Sequence, residues 1–166
     1  MNEIIFETVH GSHLYGLAHD GSDHDVFRVT TSTRPRAKHF ERGAEDVCEV
    51  GITVFLERAL AGSHQSVEAL FSPRKEWRDT RYRALVENTR VTGADVFAKY
   101  ERTIRKFAYG DFKRRRHACR LALNLDGLRR DGRFEPVMTD IEKVLATKLA
   151  TQFEGEELLE HIFGKE

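Results

Sequence analysis

The sequence predicts an α+β protein: a small mixed sheet with flanking helices, followed by a helical C-terminal lobe. Three observations carry that expectation. Short β-branched or alternating runs fill the chain up to about residue 73. Apolar residues at helical spacing dominate from about residue 78 onward. The three prolines, Pro35, Pro73 and Pro136, each fall where a connection is expected. At 166 residues the chain has the size of one compact domain with a lobe appended. The change of character divides it into 1–76 and 77–166.

The elements follow in order. Ile4–Val9 is a short β-prone run stopped by Gly11. Ser12 to Leu17 reads as a brief helix with a serine cap, and His19-Asp20-Gly21-Ser22 is turn chemistry. Asp23 to Thr31 alternates and forms a second strand. Thr33 to Ala44 is polar and irregular, hence an exposed loop. Asp46–Val50 is a third strand. Ile52–Ala61 is an amphipathic helix ended by Gly62. Val67–Phe71 is a short apolar element before Ser72-Pro73. Helices follow over about 79–90, 94–108 and 111–130, with Gly132 at the third stop. After Pro136 a fourth carries Ile141, Val144, Leu145 and Leu149 on one face.

Composition excludes several classes. With 27 basic and 27 acidic residues the formal net charge is zero, so a generally cationic nucleic-acid binder is not indicated. Cys48 and Cys119 are the only cysteines, too few for a disulfide scaffold and without a CxxC pair. No apolar run approaches membrane-spanning length, and residues 1–6 lack the basic start and apolar stretch of a secretion signal. A cytoplasmic protein with no membrane partner is the expectation.

The stretch that carries chemistry is His10-Gly11-Ser12 followed by Ser22-Asp23-His24-Asp25. Two aspartates at i and i+2 on a strand share a face. Their like charges repel unless a cation lies between them. Hard divalent ions take oxygen ligands, commonly one or two carboxylates together with substrate phosphates. A Gly-Ser closing a strand and opening a helix offers backbone N–H groups and a hydroxyl to an anion. Asp46, on a neighbouring strand, supplies a third carboxylate; Glu45 and Glu49 compete for that role.

This pattern resembles the nucleotidyltransferase superfamily built around a DNA polymerase β-like palm. In that family a strand ends in Gly-Ser, about ten residues follow, then Asp-x-Asp, then a third acid on a later strand. Here ten residues separate Ser12 from Asp23. The likeness is closer to the small bacterial and phage nucleotidyltransferases of the YcgL-like group. Their blocks look like Gly11-Ser12-His13-Leu14-Tyr15-Gly16, Ser22-Asp23-His24-Asp25, the spaced Asp46, Phe55 and Gly62, and Glu68-Ala69-Leu70-Phe71-Ser72-Pro73. A further block resembles Lys113, His117-Ala118-Cys119-Arg120-Leu121 and Gly132. The chain departs from the group at Phe27-Arg28, where Arg-Gly is common, and at Gly62-Ser63-His64, where Gly-Asn-Pro is common.

The resemblance implies transfer of a nucleoside monophosphate from a nucleoside triphosphate to an acceptor hydroxyl, with pyrophosphate released. Asp23, Asp25 and Asp46 would be the catalytic carboxylates and hold two Mg2+ (or Mn2+) ions. Gly11, Ser12 and Ser22 would bind the nucleotide, as would Lys113, His117 and Arg120. The acceptor stays open between RNA, a protein and a small molecule, and the oligomeric state is not encoded. Two other readings stand beside this one: an antitoxin-like binding module of the same fold without catalysis, and a metal-dependent phosphohydrolase acting on nucleotides or RNA.

The remaining signals read as structural. His10, His13, His19 and His24 cluster near the motif, but their spacing fits no familiar zinc set, so surface or supporting roles are expected. Tyr15, Glu68 and Trp77 are read as packing, and both cysteines as buried thiols.

Overall fold

In the computed structural model, which describes residues 1–165, the chain is α+β and falls into two compact units. The first comprises Met1–Val91 with residues 135–137; the second comprises Thr92–Phe134 and the chain from Met138. The break expected after residue 76 lies instead at 91/92. Backbone pairing explains the difference: Glu76–Trp77 forms a strand paired with the first strand of the sheet, so the chain cannot leave the sheet there.

The first unit is built on five strands, β1 (Ile4–His10), β2 (His24–Thr30), β3 (Lys38–Arg42), β4 (Glu45–Gly51) and β5 (Glu76–Trp77), in the order β3-β4-β2-β1-β5. β2 and β4 run parallel and the other pairings are antiparallel, so the sheet is mixed as expected. β3 lies inside the stretch read as a loop. Its sequence, KHFER, is polar on both faces and only Phe40 is half-buried. An edge strand needs no apolar face, so no hydrophobic alternation announces it.

One face of the sheet is covered by α2 (Ile52–Leu60) and α3 (His64–Phe71). Phe55 of α2 meets Phe6 and Phe27 with ring centroids 5.7 and 5.8 Å apart. Together with Val29, Val50, Val67 and Leu70 these rings form the buried core of the unit. The parallel pair is pinned at its far end by Gly51, opposite Thr30. A Cβ on Gly51 would stand 1.9 Å from the Ser32 carbonyl oxygen, so only glycine lets the two strands close there. Beyond β5, the helix expected over 79–90 is a 3-10 turn (Thr80–Tyr82) followed by α4 (Arg83–Asn88).

The second unit contains α5 (Ala94–Ala108), α6 (Phe112–Asp131), α7 (Asp140–Gln152) and α8 (Gly155–Phe163). The stops follow the expected chemistry. Asp111 accepts a hydrogen bond from the Arg114 backbone at the start of α6, and Gly132 ends it in the left-handed conformation. Thr139 and Glu142 form a reciprocal capping box on α7. Tyr100, Ile104, Leu121, Leu125, Leu128 and Leu158 are the large side chains of this core. The apolar stripe of α7 is the exception. The residues it buries are Ala146 and Ala150, while Ile141, Val144 and Leu145 are 81%, 67% and 48% exposed. Alanines on the inner side let α7 pack close to α6, and the bulkier side chains are left outside.

Among the described residues, no helix is long and apolar enough to cross a membrane.

Candidate active site

β1 ends at His10, and the chain must then bend sharply enough for Ser12 to start α1 (Ser12–Tyr15). Gly11 makes that bend with φ +64°. A Cβ here would lie 2.9 Å from Oδ2 of Asp25, so the Asp25 carboxylate lies against a backbone position that only glycine leaves open. The cap of α1 is Gly11 itself, and Ser12 is the first helical residue, with no side-chain cap bond. The expected serine cap is therefore absent: the turn is closed by the Gly11 and Ser12 carbonyls, which accept from Leu14, Tyr15, Gly16 and Leu17.

Register does the rest. Asp25 pairs with Asp46 across the parallel β2–β4 ladder and with His10 across β1–β2, and Asp46 pairs with Glu41 across β3–β4. Cross-strand neighbours share a face, so Glu41, Asp46, Asp25 and His10 form one row. A cavity of about 270 Å³ opens beside it, lined among others by His10, Asp25, Asp46, His39, Cys48 and Gln65. The carboxylates of Glu41, Asp46 and Asp25 make no ion pair with Lys or Arg among the described residues.

Alternation settles where the competing acids go. Glu45 and Glu49 are out of phase with Asp46 and lie on the opposite face. There Glu49 accepts from Arg28 at 3.2 Å and Glu45 from Arg42 at 2.7–2.8 Å. Arg28 and Arg42 also donate to Glu7, at 2.6 and 2.9 Å. Burial pushes the Glu7 carboxyl up, but the hydrogen bonds and charges of the two guanidiniums outweigh it and hold Glu7 below the ordinary value of 4.5.

The expected site residues are thus placed unevenly. Asp25 and Asp46 are brought side by side. Asp23 stands just before β2 and is exposed, because the strand starts at His24 and not at Asp23. Ser22 is engaged in the turn, where its hydroxyl accepts from the His19 backbone at 2.9 Å. In the second unit, His117 and Arg120 lie on one face of α6, with Arg120 Nε donating to His117 Nδ1 at 3.3 Å. Arg120 is buried, and Lys113, one turn earlier, is exposed. Among the described residues, no three His, Cys, Asp or Glu side chains are grouped to hold a metal ion.

Sequence reasoning missed Glu41 and His39, because the strand carrying them has no hydrophobic signature. It also assigned His10 and Glu68 only generic roles. Glu68 is 1% exposed; it accepts the Tyr15 hydroxyl and its Oε2 lies 3.9 Å from His10 Nε2, joining α3, α1 and the end of β1. Cys119 is buried as expected, whereas Cys48 is only half-buried because it lines the wall of the cavity. Burial pushes Cys119 up to about 11 and raises Cys48 too, partly offset there by the charge of Arg58.

Comparison with protein-family models and with curated proteins finds no match to this chain.

Proposed function

We propose that this chain is a metal-dependent nucleotidyltransferase. The observation that carries the reading is the pairing of Asp25 with Asp46 on adjacent parallel strands, beside a cavity and against the Gly11 bend. Two carboxylates side by side, with no Lys or Arg neutralising them, are the donor set that a hard divalent cation such as Mg2+ takes. Asp25 and Asp46 would hold it, and the exposed Asp23 is the third carboxylate that the sequence resemblance offers. The cation, when bound, supplies charge stabilisation for the attacking and leaving oxygens of an in-line displacement.

In that reaction an acceptor hydroxyl attacks the α-phosphorus of a nucleoside triphosphate. The bond from that phosphorus to the bridging oxygen breaks, pyrophosphate leaves, and the hydroxyl proton is lost. The chain's own task is positioning, the main source of acceleration in phosphoryl chemistry. The positive-φ bend at Gly11 keeps side-chain bulk away from the Asp25 carboxylate and turns the chain into Ser12. The backbone and hydroxyl of Ser12 are the groups we assign to the triphosphate. We place the reaction in the cytoplasm, a reducing compartment that suits the two free cysteines.

The test is incubation with Mg2+ and α-labelled nucleoside triphosphates, offering RNA, protein and aminoglycoside acceptors in turn. Pyrophosphate release with label on an acceptor is the expected result. Inorganic phosphate or free monophosphate would make the chain a phosphohydrolase. No turnover together with a stable partner complex would make it a binding module. Asp25→Asn should abolish turnover while the melting temperature holds.

A further inference from the structure

The outer face of α7 is unlike the rest of the surface. Of the large apolar side chains left exposed, Ile141, Val144 and Leu145 fall at i, i+3 and i+4 on this one helix, and Leu123 of α6 is exposed as well. A groove of about 290 Å³ runs alongside, its wall mixing Leu145, Leu149 and Ile162 with Asp126, Glu142 and His161. An apolar stripe along the outer side of one helix can pack against the same stripe of a second copy across a two-fold axis. Contiguous exposed apolar patches of this kind mark interaction sites.

Charge selects the orientation. Asp140 opens α7 and Lys148 lies seven residues after Ile141, so the stripe begins with an acid and ends with a base, both exposed. Among the described residues Asp140 has one ionic neighbour, Lys143 at 3.8 Å, and its side chain is fully exposed. Running two copies of α7 antiparallel sets Asp140 of each against Lys148 of the other and opposes the helix dipoles favourably. A parallel pairing would bring like charges together at both ends. We propose that this chain forms a homodimer through an antiparallel α7–α7 contact centred on Val144. The proposal is independent of the catalytic reading, since none of these residues belongs to the carboxylate site.

Sedimentation equilibrium of the full chain tests it. The mass should rise with concentration, over about 2–200 μM, from 19.1 kDa to twice that value. Val144→Asp should weaken the dimer about a hundredfold or more, since one substitution places two charges at the apolar centre. Asp140→Lys or Lys148→Asp alone should weaken it about fivefold, and the two together should restore it. Circular dichroism of each variant shows whether α7 is intact, and the exposed Val144→Thr variant replaces any that is not, with a smaller loss expected. A mass of one chain at every concentration overturns the proposal, as does a dimer that Val144→Asp leaves unchanged. Failure of the double reversal to restore what each single reversal loses overturns the antiparallel arrangement.

Discussion

On one face of the sheet Glu7 lies between Arg28 and Arg42, and Glu49 and Glu45 extend the chain of ion pairs. On the other, Glu41, Asp46 and Asp25 stand in a row with neither Lys nor Arg paired to them among the described residues. The same strands supply both sets, and a shift of one residue decides which treatment an acid receives. Charges that are matched within the chain contribute to the fold. Charges left unmatched beside a cavity cost the fold a little repulsion and are available to something else.

Substitutions that cross this divide should give opposite signatures. Under the proposed function the largest expected effect is on turnover: Asp25→Asn or Asp46→Asn should lower the transfer rate about a thousandfold or more, as loss of a carboxylate proposed to bind the cation would remove several kcal/mol of transition-state stabilisation. The melting temperature should stay level or rise, because a like-charge neighbour is gone. Glu7→Gln should do the reverse, leaving Arg28 and Arg42 without their shared carboxylate. Urea unfolding should show a loss of about 2–4 kcal/mol, with turnover per folded molecule preserved.

Gly11→Ala links the two signatures. The strained φ and the approach to Asp25 Oδ2 should cost about 1–2 kcal/mol of stability, and displacement of the carboxylate should lower turnover as well. The smallest effect is a pH dependence. The Glu7 carboxyl lies below its ordinary value of 4.5, so its contribution to stability is present above that pH and is lost as pH falls through the folded-state value. Thermal melts from pH 7 to pH 3 should show wild type losing ground on Glu7→Gln below about pH 4.5. Parallel curves throughout would mean that the Arg28–Glu7–Arg42 cluster contributes no linkage.

What the sequence made legible follows from how strongly each element is specified. Helices with long buried faces, such as α5 and α6, were readable because Tyr100, Ile104, Leu121 and Leu125 must recur at the helical period to reach a core. β3 and β5 were not: the first is polar on both faces, and the second is two residues long. The α7 stripe was readable as apolar, but nothing in its spacing says whether it faces inward or out. At the candidate site, residue types gave Asp25 and Asp46 as candidates. Their adjacency, and the exclusion of Glu45 and Glu49 from that face, come from a parallel register that only the folded sheet defines.

That register has a consequence at its other end. Gly51 and Ser32 touch so closely that any side chain at 51 must drive the ends of β2 and β4 apart. Five residues away, Asp46 rides on the same strand. A methyl group added at Gly51 would therefore act as a wedge at a hinge, mimicking a lesion in the carboxylate pair while touching neither member of it. A screen for inactive variants would recover position 51 among the acids, and only a structure would show that its fault is one of alignment.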